Sequence, residues 1–364
     1  MRILIAPDKF AGTLTAVQAA EAIAAGWRRT APGDELLLAP LADGGPGFVD
    51  VLHDALGGQL HAVSVTGPLG ERVPGSVLLV EDTGYVESAQ AGGLHLVPAD
   101  RRDPETVTSY GVGELVAAAA EAGARRIVVG LGGSAGNDGG AGLLAALGAQ
   151  PADQLRRGGI GLADLTGLDL APARDRVAGL QLVAASDVDN PLLGLRGASN
   201  VFGPQKGASQ DQVQRMDAAL TRLADLADKK LAGAKGAGAA GGLGYGLLLL
   251  GAERVPGIQT VLDTVGLADL MAKADLVVTG EGCFDFQSLR GKVVSGVAAL
   301  AGQHATPCIV VAGQVKAGRR EMGALGVESA YAVTETAGSR QESMARPADH
   351  LERLSAQVAR TWSH

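Results

Sequence analysis

The 364-residue sequence predicts an α/β protein with mainly parallel sheets and two domains. Short apolar runs of β type alternate with stretches of helical periodicity along the chain. The length exceeds what one hydrophobic core usually organises. Several apolar runs also stop at glycines and acids, and ligands of open α/β folds bind outside the carboxyl ends of the strands.

Arg2 to Ala6 reads as a buried strand, ended by Pro7-Asp8-Lys9. Thr15 with Gln18 has the capping-box pattern, so a helix is expected from Ala16 to Arg28. Leu36 to Leu38 supplies a second strand and leads into Pro40-Leu41-Ala42-Asp43-Gly44-Gly45; a helix from about Phe48 to Leu56 closes this opening βαβα unit. From Gly67-Pro68-Leu69-Gly70 onward the strands shorten, at Val77 to Val80 and Tyr85 to Glu87. Val112, Leu115, Val116 and Ala119 lie at helical spacing ahead of the strand Arg126 to Val129. A glycine loop, Gly130 to Gly140, and an apolar helix, Leu143 to Leu147, come next. Leu180 to Ala185 is a strand ending in Ser186-Asp187-Val188-Asp189-Asn190-Pro191. Ser209 and Gln212 form a second capping box, opening an amphipathic helix with Val213, Met216, Leu220 and Leu223 on one face. Gly236 to Gly246 is a second glycine-rich turn before Leu247 to Leu250. Buried strands return at Leu276 to Thr279 and Cys308 to Ala312, and a helix from Ala348 to Arg360 closes the chain.

Composition narrows the function. Aromatics make up 3% and the net charge is −8, which argues against a nucleic-acid partner. An anionic small substrate stays compatible, because a cationic pocket can coexist with an acidic surface. No apolar run approaches the length needed to span a bilayer, and the strand at the very start leaves no room for a signal peptide. The two cysteines, Cys283 and Cys308, have no metal-binding spacing. A cytoplasmic protein without membrane partners, monomeric or a small homo-oligomer, is the expectation.

Ala274 to Lys292 is the most informative stretch. A buried strand stops at Thr279-Gly280, Glu281 and Asp285 follow, and Arg290 and Lys292 add positive charge. Acids beside cations suit a phosphate with magnesium. Gly130-x-Gly132-x-x-Ala135 fits a dinucleotide fingerprint weakly, since the supporting ribose acid is missing. Its run of backbone N–H groups ahead of a helix nonetheless makes an anion site, or else a tight turn that permits close packing. Gly238 to Gly244 reads the same way, with Ala/Gly drift as the bland alternative. Asp187 and Asp189 could share a magnesium or build an Asx-turn before Pro191. Lys9 and Lys206 are surface lysines or phosphate clamps.

Six ordered blocks resemble the bacterial glycerate kinases of the non-P-loop type. They are Asp8-Lys9-Phe10 with Gly12 to Leu14, Pro40 to Gly45, Gly132 to Gly140, Asp187 to Leu192, Gly197 to Ala208, and Thr279 to Gly282 with Asp285 and Gln287. The resemblance implies ATP-dependent phosphorylation of D-glycerate, with magnesium, and 2-phosphoglycerate favoured over 3-phosphoglycerate. It also implies a discontinuous Rossmann-like domain, 1–67 with 270–364, into which a second α/β domain, 68–269, is inserted, with the active site in the cleft between them. The family usually has arginine where this chain has Cys283.

On that resemblance Asp285 is the expected base and Lys9 the catalytic cation. Gly132, Gly133, Ser134, Gly241 and Gly242 are expected to cradle the ATP phosphates. Asp189, with Asp187 or Glu281, is expected to hold Mg2+, and Asp8, Asp43, Lys206, Gln287 and Arg290 to contact substrate. Two rivals are a non-catalytic metabolite-binding regulator derived from a kinase and an NAD-dependent hydroxyacid dehydrogenase.

Overall fold

The computed structural model describes residues 1–10, 12–286, 288 and 292–363. Two units divide the chain. One comprises Met1–Asp43, Asp50–Leu56 and Ile258–His364, the other Gly44–Val49 and Gly57–Gly257.

The strands in chain order begin with β1 (Arg2–Pro7), β2 (Glu35–Leu38), β3 (Gln59–Thr66) and β4 (Arg72–Val80). Next come β5 (Thr83–Glu87), β6 (Arg126–Gly130), β7 (Gln181–Ala185) and β8 (Glu253–Val255). The last three are β9 (Leu276–Phe284), β10 (Cys308–Val315) and β11 (Val327–Ala332).

The first unit holds a sheet in the order β11-β10-β9-β1-β2, every pair parallel. Parallel sheets covered on both faces need strands that are apolar throughout. Accordingly Ile3, Leu4, Ile5, Val277, Val278 and Ile309 to Val311 are buried. The helices Ala16–Thr30 and Pro347–Trp362 pack on this sheet with the fully buried Trp27 in the core. Trp27 settles its indole N–H on Asp34 Oδ2 at 2.9 Å, so the large ring is buried without an orphaned donor. The capping box of Thr15 and Gln18 is formed at the start of the first of these helices.

The second unit holds a sheet in the order β3-β4-β5-β6-β7-β8. Its first two pairings are antiparallel and the rest parallel. Strands β3 and β11 give no clear pattern in the sequence, because each interleaves polar residues and buries only one or two of its positions. The unit changes at Gly57, ahead of the 67/68 boundary expected, since β3 pairs with β4 from Gln59 to Thr66. It changes back at Ile258, where Ile258 and Leu262 pack over Gly296 of the helix Val293–Gln303. The capping box of Ser209 and Gln212 opens the helix Gln210–Leu226. The glycine-rich segment before Leu247 is not simply a turn. The helix Ala239–Leu249 takes up all of it but Gly236 to Gly238, with three left-handed residues, Ala240, Gly241 and Gly242, at a kink.

Candidate active site

In the first sheet the chain moves from β1 to β2 on one side and from β9 through β10 to β11 on the other. The strand order therefore reverses between β1 and β9. At such a reversal the crossover connections leave in opposite directions and open a crevice at the carboxyl ends of the strands. Pro7 pairs with Gly280 in the parallel register, so the next residues, Asp8 and Glu281, emerge side by side at that point. Gly280 permits the approach of the neighbouring strand, because a Cβ there would lie 2.0 Å from the Val311 carbonyl oxygen.

A cavity of about 350 Å³ opens here, entirely within the first unit. Asp8, Lys9, Asp43, Glu281, Asp285 and Lys292 supply its charge. Phe10, Val333, Met344 and Pro347 supply apolar wall. The Lys9 ammonium lies 3.5 Å from Asp8 Oδ1 and 3.8 Å from Asp43 Oδ1, and the Lys9 backbone N–H donates to Asp8 Oδ1 at 2.7 Å. Asp285 is held at the start of a tight turn. Its N–H donates to Ser288 Oγ at 3.1 Å, and the Ser288 N–H donates back to the Asp285 carbonyl at 3.0 Å. The Cys283 thiol stands 3.9 Å from Asp285 Oδ2.

Burial raises the Asp8 carboxyl to about 6; Lys9 opposes the rise and Asp43 adds to it. Burial likewise raises Glu281 to about 7; Ser288 and Lys292 work against the shift, while Asp8 and Asp285 reinforce it. Glu281 Oε1 is buried and has no hydrogen-bond partner among the described residues. A desolvated carboxylate oxygen beside other acids is a place where a cation gains most.

In the second unit, the loop after β6 and the kinked turn at Ala240 to Gly242 pack backbone against backbone. The Gly139 N–H donates to the Gly241 carbonyl at 3.0 Å. A Cβ on Gly241, whose φ is +72°, would lie 2.0 Å from the Gly136 carbonyl oxygen. Lys206 is 3% exposed and pins this contact, its ammonium donating to Ser134 Oγ at 2.9 Å and to the Gly136 carbonyl at 2.5 Å. Burial lowers its pKa to about 7, opposed by Asp138. The backbone N–H groups of Gly132, Gly133 and Ser134 have no acceptor among the described residues.

Similarity to known proteins agrees with this arrangement. The sequence profile of the Glycerate kinase family matches residues 3–363. The chain belongs to the glycerate kinase family. It is 41% identical over 370 residues to the glycerate kinase of Bacillus subtilis (strain 168), covering 99% of this chain and 97% of that protein. To the glycerate 2-kinase of Escherichia coli (strain K12) it is 40% identical over 372 residues, covering 99% of this chain and 98% of that protein. The crystal structure of putative glycerate kinase 2 from Salmonella typhimurium LT2 superposes with a TM-score of 0.80 at 40% identity, over 99% of this chain and 98% of that one. The expected class, two α/β units in an enzyme of the phosphotransferase type, holds.

For this glycerate kinase family member, sequence reading and geometry meet at Asp8, Lys9, Asp43, Glu281 and Asp285, which line one cavity. Gln287 and Arg290 lie outside the described residues. Lys206, expected as a surface lysine or a phosphate clamp in contact with substrate, is buried and braces the glycine loops. Asp189 is engaged elsewhere in the second unit, with Arg254 at 2.7 Å and Lys235 at 3.6 Å. Next to Asp187, the Val188 N–H donates to Ser186 Oγ at 3.2 Å, so the serine closes this turn. Among the described residues no cluster of three His, Cys, Asp or Glu side chains could hold a metal. No described helix is long and apolar enough to cross a membrane. The wall segment carrying Val333, Arg340, Ser343 and Met344 was missed, since polar residues between short helices give no periodic pattern.

Proposed function

We propose that the chain transfers the γ-phosphoryl group of ATP to a hydroxyl of D-glycerate. The side-by-side carboxylates of Asp8 and Glu281 at the strand-order reversal, with Lys9 and Lys292 in the same cavity, carry this reading. The hydroxyl oxygen bonds to the γ-phosphorus as the bond to the bridging oxygen breaks, and ADP leaves. Asp285 takes the hydroxyl proton, its backbone held by the Ser288 turn. Lys9 faces the negative charge of the transferring group or of the substrate. Asp8 and Asp43 hold Lys9 in place.

The unpartnered Glu281 Oε1 fits a hard cation, with Asp8 beside it. Magnesium is usually held by one or two carboxylates together with substrate phosphates, so a three-acid cluster is not required. Magnesium would neutralise phosphate charge in this reaction. We place it on Glu281 ahead of Asp187 and Asp189, because Asp189 already satisfies its oxygens with Arg254 and Lys235. For the ATP phosphates we assign Gly132, Gly133 and Ser134, whose N–H groups have no described acceptor. Lys206 donates to Ser134 Oγ, which leaves the hydroxyl proton for an anion. Gly241 and Gly242 shape this loop through their contacts with Gly136 and Gly139.

The 2-hydroxyl is our choice of acceptor, supported by the 40% identity to the E. coli glycerate 2-kinase. The test is ADP release with D-glycerate, Mg2+ and ATP, followed by phosphorus NMR of the product. No ADP above the ATP-only control would sink the kinase reading in favour of the regulator. 3-Phosphoglycerate as product would overturn only the choice of hydroxyl.

A further inference from the structure

A pocket carrying four carboxylates repels an acidic substrate unless a cation within it remains uncommitted. The described cations on its wall are Lys9, Lys292 and Arg340. Lys9 lies between Asp8 and Asp43. The charge of Lys292 falls on Glu281 and Asp8. Arg340 has no ion pair and no side-chain hydrogen bond among the described residues.

Its backbone is nevertheless fixed. Ser339 Oγ accepts the Glu342 N–H at 3.1 Å, capping the short helix Arg340–Ala345, and Ser343 Oγ donates to the Arg340 carbonyl at 3.0 Å. The same helix brings Ser343 and Met344 to the pocket wall. The Arg340 charge also reaches Cys283, where it opposes the upward shift that burial gives the thiol. Arg340 therefore serves the edge of the pocket at which β9 presents a small, uncharged sulfur side chain.

Resting on the kinase reading above, we propose that Arg340 receives the carboxylate of glycerate and selects acidic acceptors over neutral polyols. A guanidinium is always charged and presents parallel N–H donors that match a carboxylate in a bidentate pair. Neither lysine offers that paired geometry, and Lys9, held between Asp8 and Asp43, is left to the transferring group.

The test compares the full-length wild type with Arg340→Gln and Arg340→Lys, using D-glycerate, D-glyceramide and ATP. We expect Arg340→Gln to raise KM for D-glycerate roughly 10- to 100-fold, the loss of charge-assisted hydrogen bonds, and to leave KM for ATP and the melting temperature unchanged. Calorimetry should show the wild type preferring glycerate to its amide, the Gln variant losing that preference, and the Lys variant retaining part of it. A KM for glycerate within about twofold of wild type in the Gln variant, a negligible free-energy change, overturns the proposal while the kinase reading stands. A loss confined to ATP also overturns it and assigns Arg340 to phosphate. A wild type that neither binds nor phosphorylates glycerate removes the kinase reading, and this proposal with it.

Discussion

Asp8 and Glu281 each stand one residue beyond a register pair, Pro7 on β1 and Gly280 on β9, and this shared position raises both carboxyls. The two acids are 7% exposed, and each lies in the other's field. The strand pairing that builds the sheet thus also builds the electrostatic strain of the site.

Glu281→Gln should stabilise the protein at neutral pH and abolish turnover. The folded-state pKa of Glu281 is raised to about 7, so its contribution is favourable below the unfolded value near 4.5 and is lost as pH rises through 7. The amide avoids that loss, on the order of 2–3 kcal/mol at pH 7. Asp8→Asn should behave alike, with its window ending near pH 6. Thermal melts from pH 4 to 8 check this; a Gln variant that melts below the wild type at pH 7 contradicts it.

With free enzyme as reference, kcat/KM for D-glycerate should fall on the acid side of pH 7. Protonation of Glu281, at about 7, and then of Asp8, at about 6, removes the charge that faces the cation. A profile flat between those values would show that neither carboxylate must be ionised.

Asp285→Asn should lower kcat by roughly 10²-fold or more with little change in melting temperature. The Ser288 turn depends on the Asp285 backbone, which the substitution retains. Near wild-type kcat would place the base elsewhere.

Lys206 imposes a pH dependence of opposite sign. Its folded pKa is lowered to about 7, so above that value the unfolded chain binds the extra proton and stability rises with pH toward the unfolded pKa. The stability difference between wild type and Lys206→Met should therefore grow in the wild type's favour from pH 7 to 10, by a few kcal/mol at about 1.4 per pKa unit. Denaturant melts at both pH values measure it, and a constant difference would mean that Lys206 stays charged when folded.

Gly280→Ala should cost at least about 2 kcal/mol, because the added Cβ meets strand backbone that has no room to yield. An ideally placed Cβ would lie 2.0 Å from the Val311 carbonyl oxygen. Chemical denaturation reads this directly, and an unchanged midpoint would show that β9 and β10 can separate at this point.

The buried strands β1, β9 and β10 and both capping boxes could be read from local pattern, because each depends on residues within a few positions. Two acids of the pocket are readable for a related reason: Asp8 directly follows β1 and Asp285 directly follows β9, whereas Glu281 lies within β9, which runs past the Thr279 end expected from the pattern. Long-range packing is not readable. Nothing around Lys206 in sequence tells that Ser134 and Gly136 will surround its ammonium. Nor does anything near Asp189 in sequence tell that Arg254, far along the chain, will pair with it. Arg340 belongs to a segment whose place depends on the sheet, not on its own periodicity.

The pairing of β1 with β9 also sets when during synthesis the site can exist. Thr279 Oγ1 donates to the Ala6 carbonyl across 273 positions of sequence, so β1 emerges from the ribosome long before its central neighbour. Domains generally fold as units as they are made, and most of the second unit, Gly57–Gly257, is complete before β9 is translated. Until then the apolar edge of β1 has no partner on that side and is open to mispairing. Ribosome stalling just before β9 should therefore yield a nascent chain with a protease-resistant middle and a sensitive amino-terminal segment.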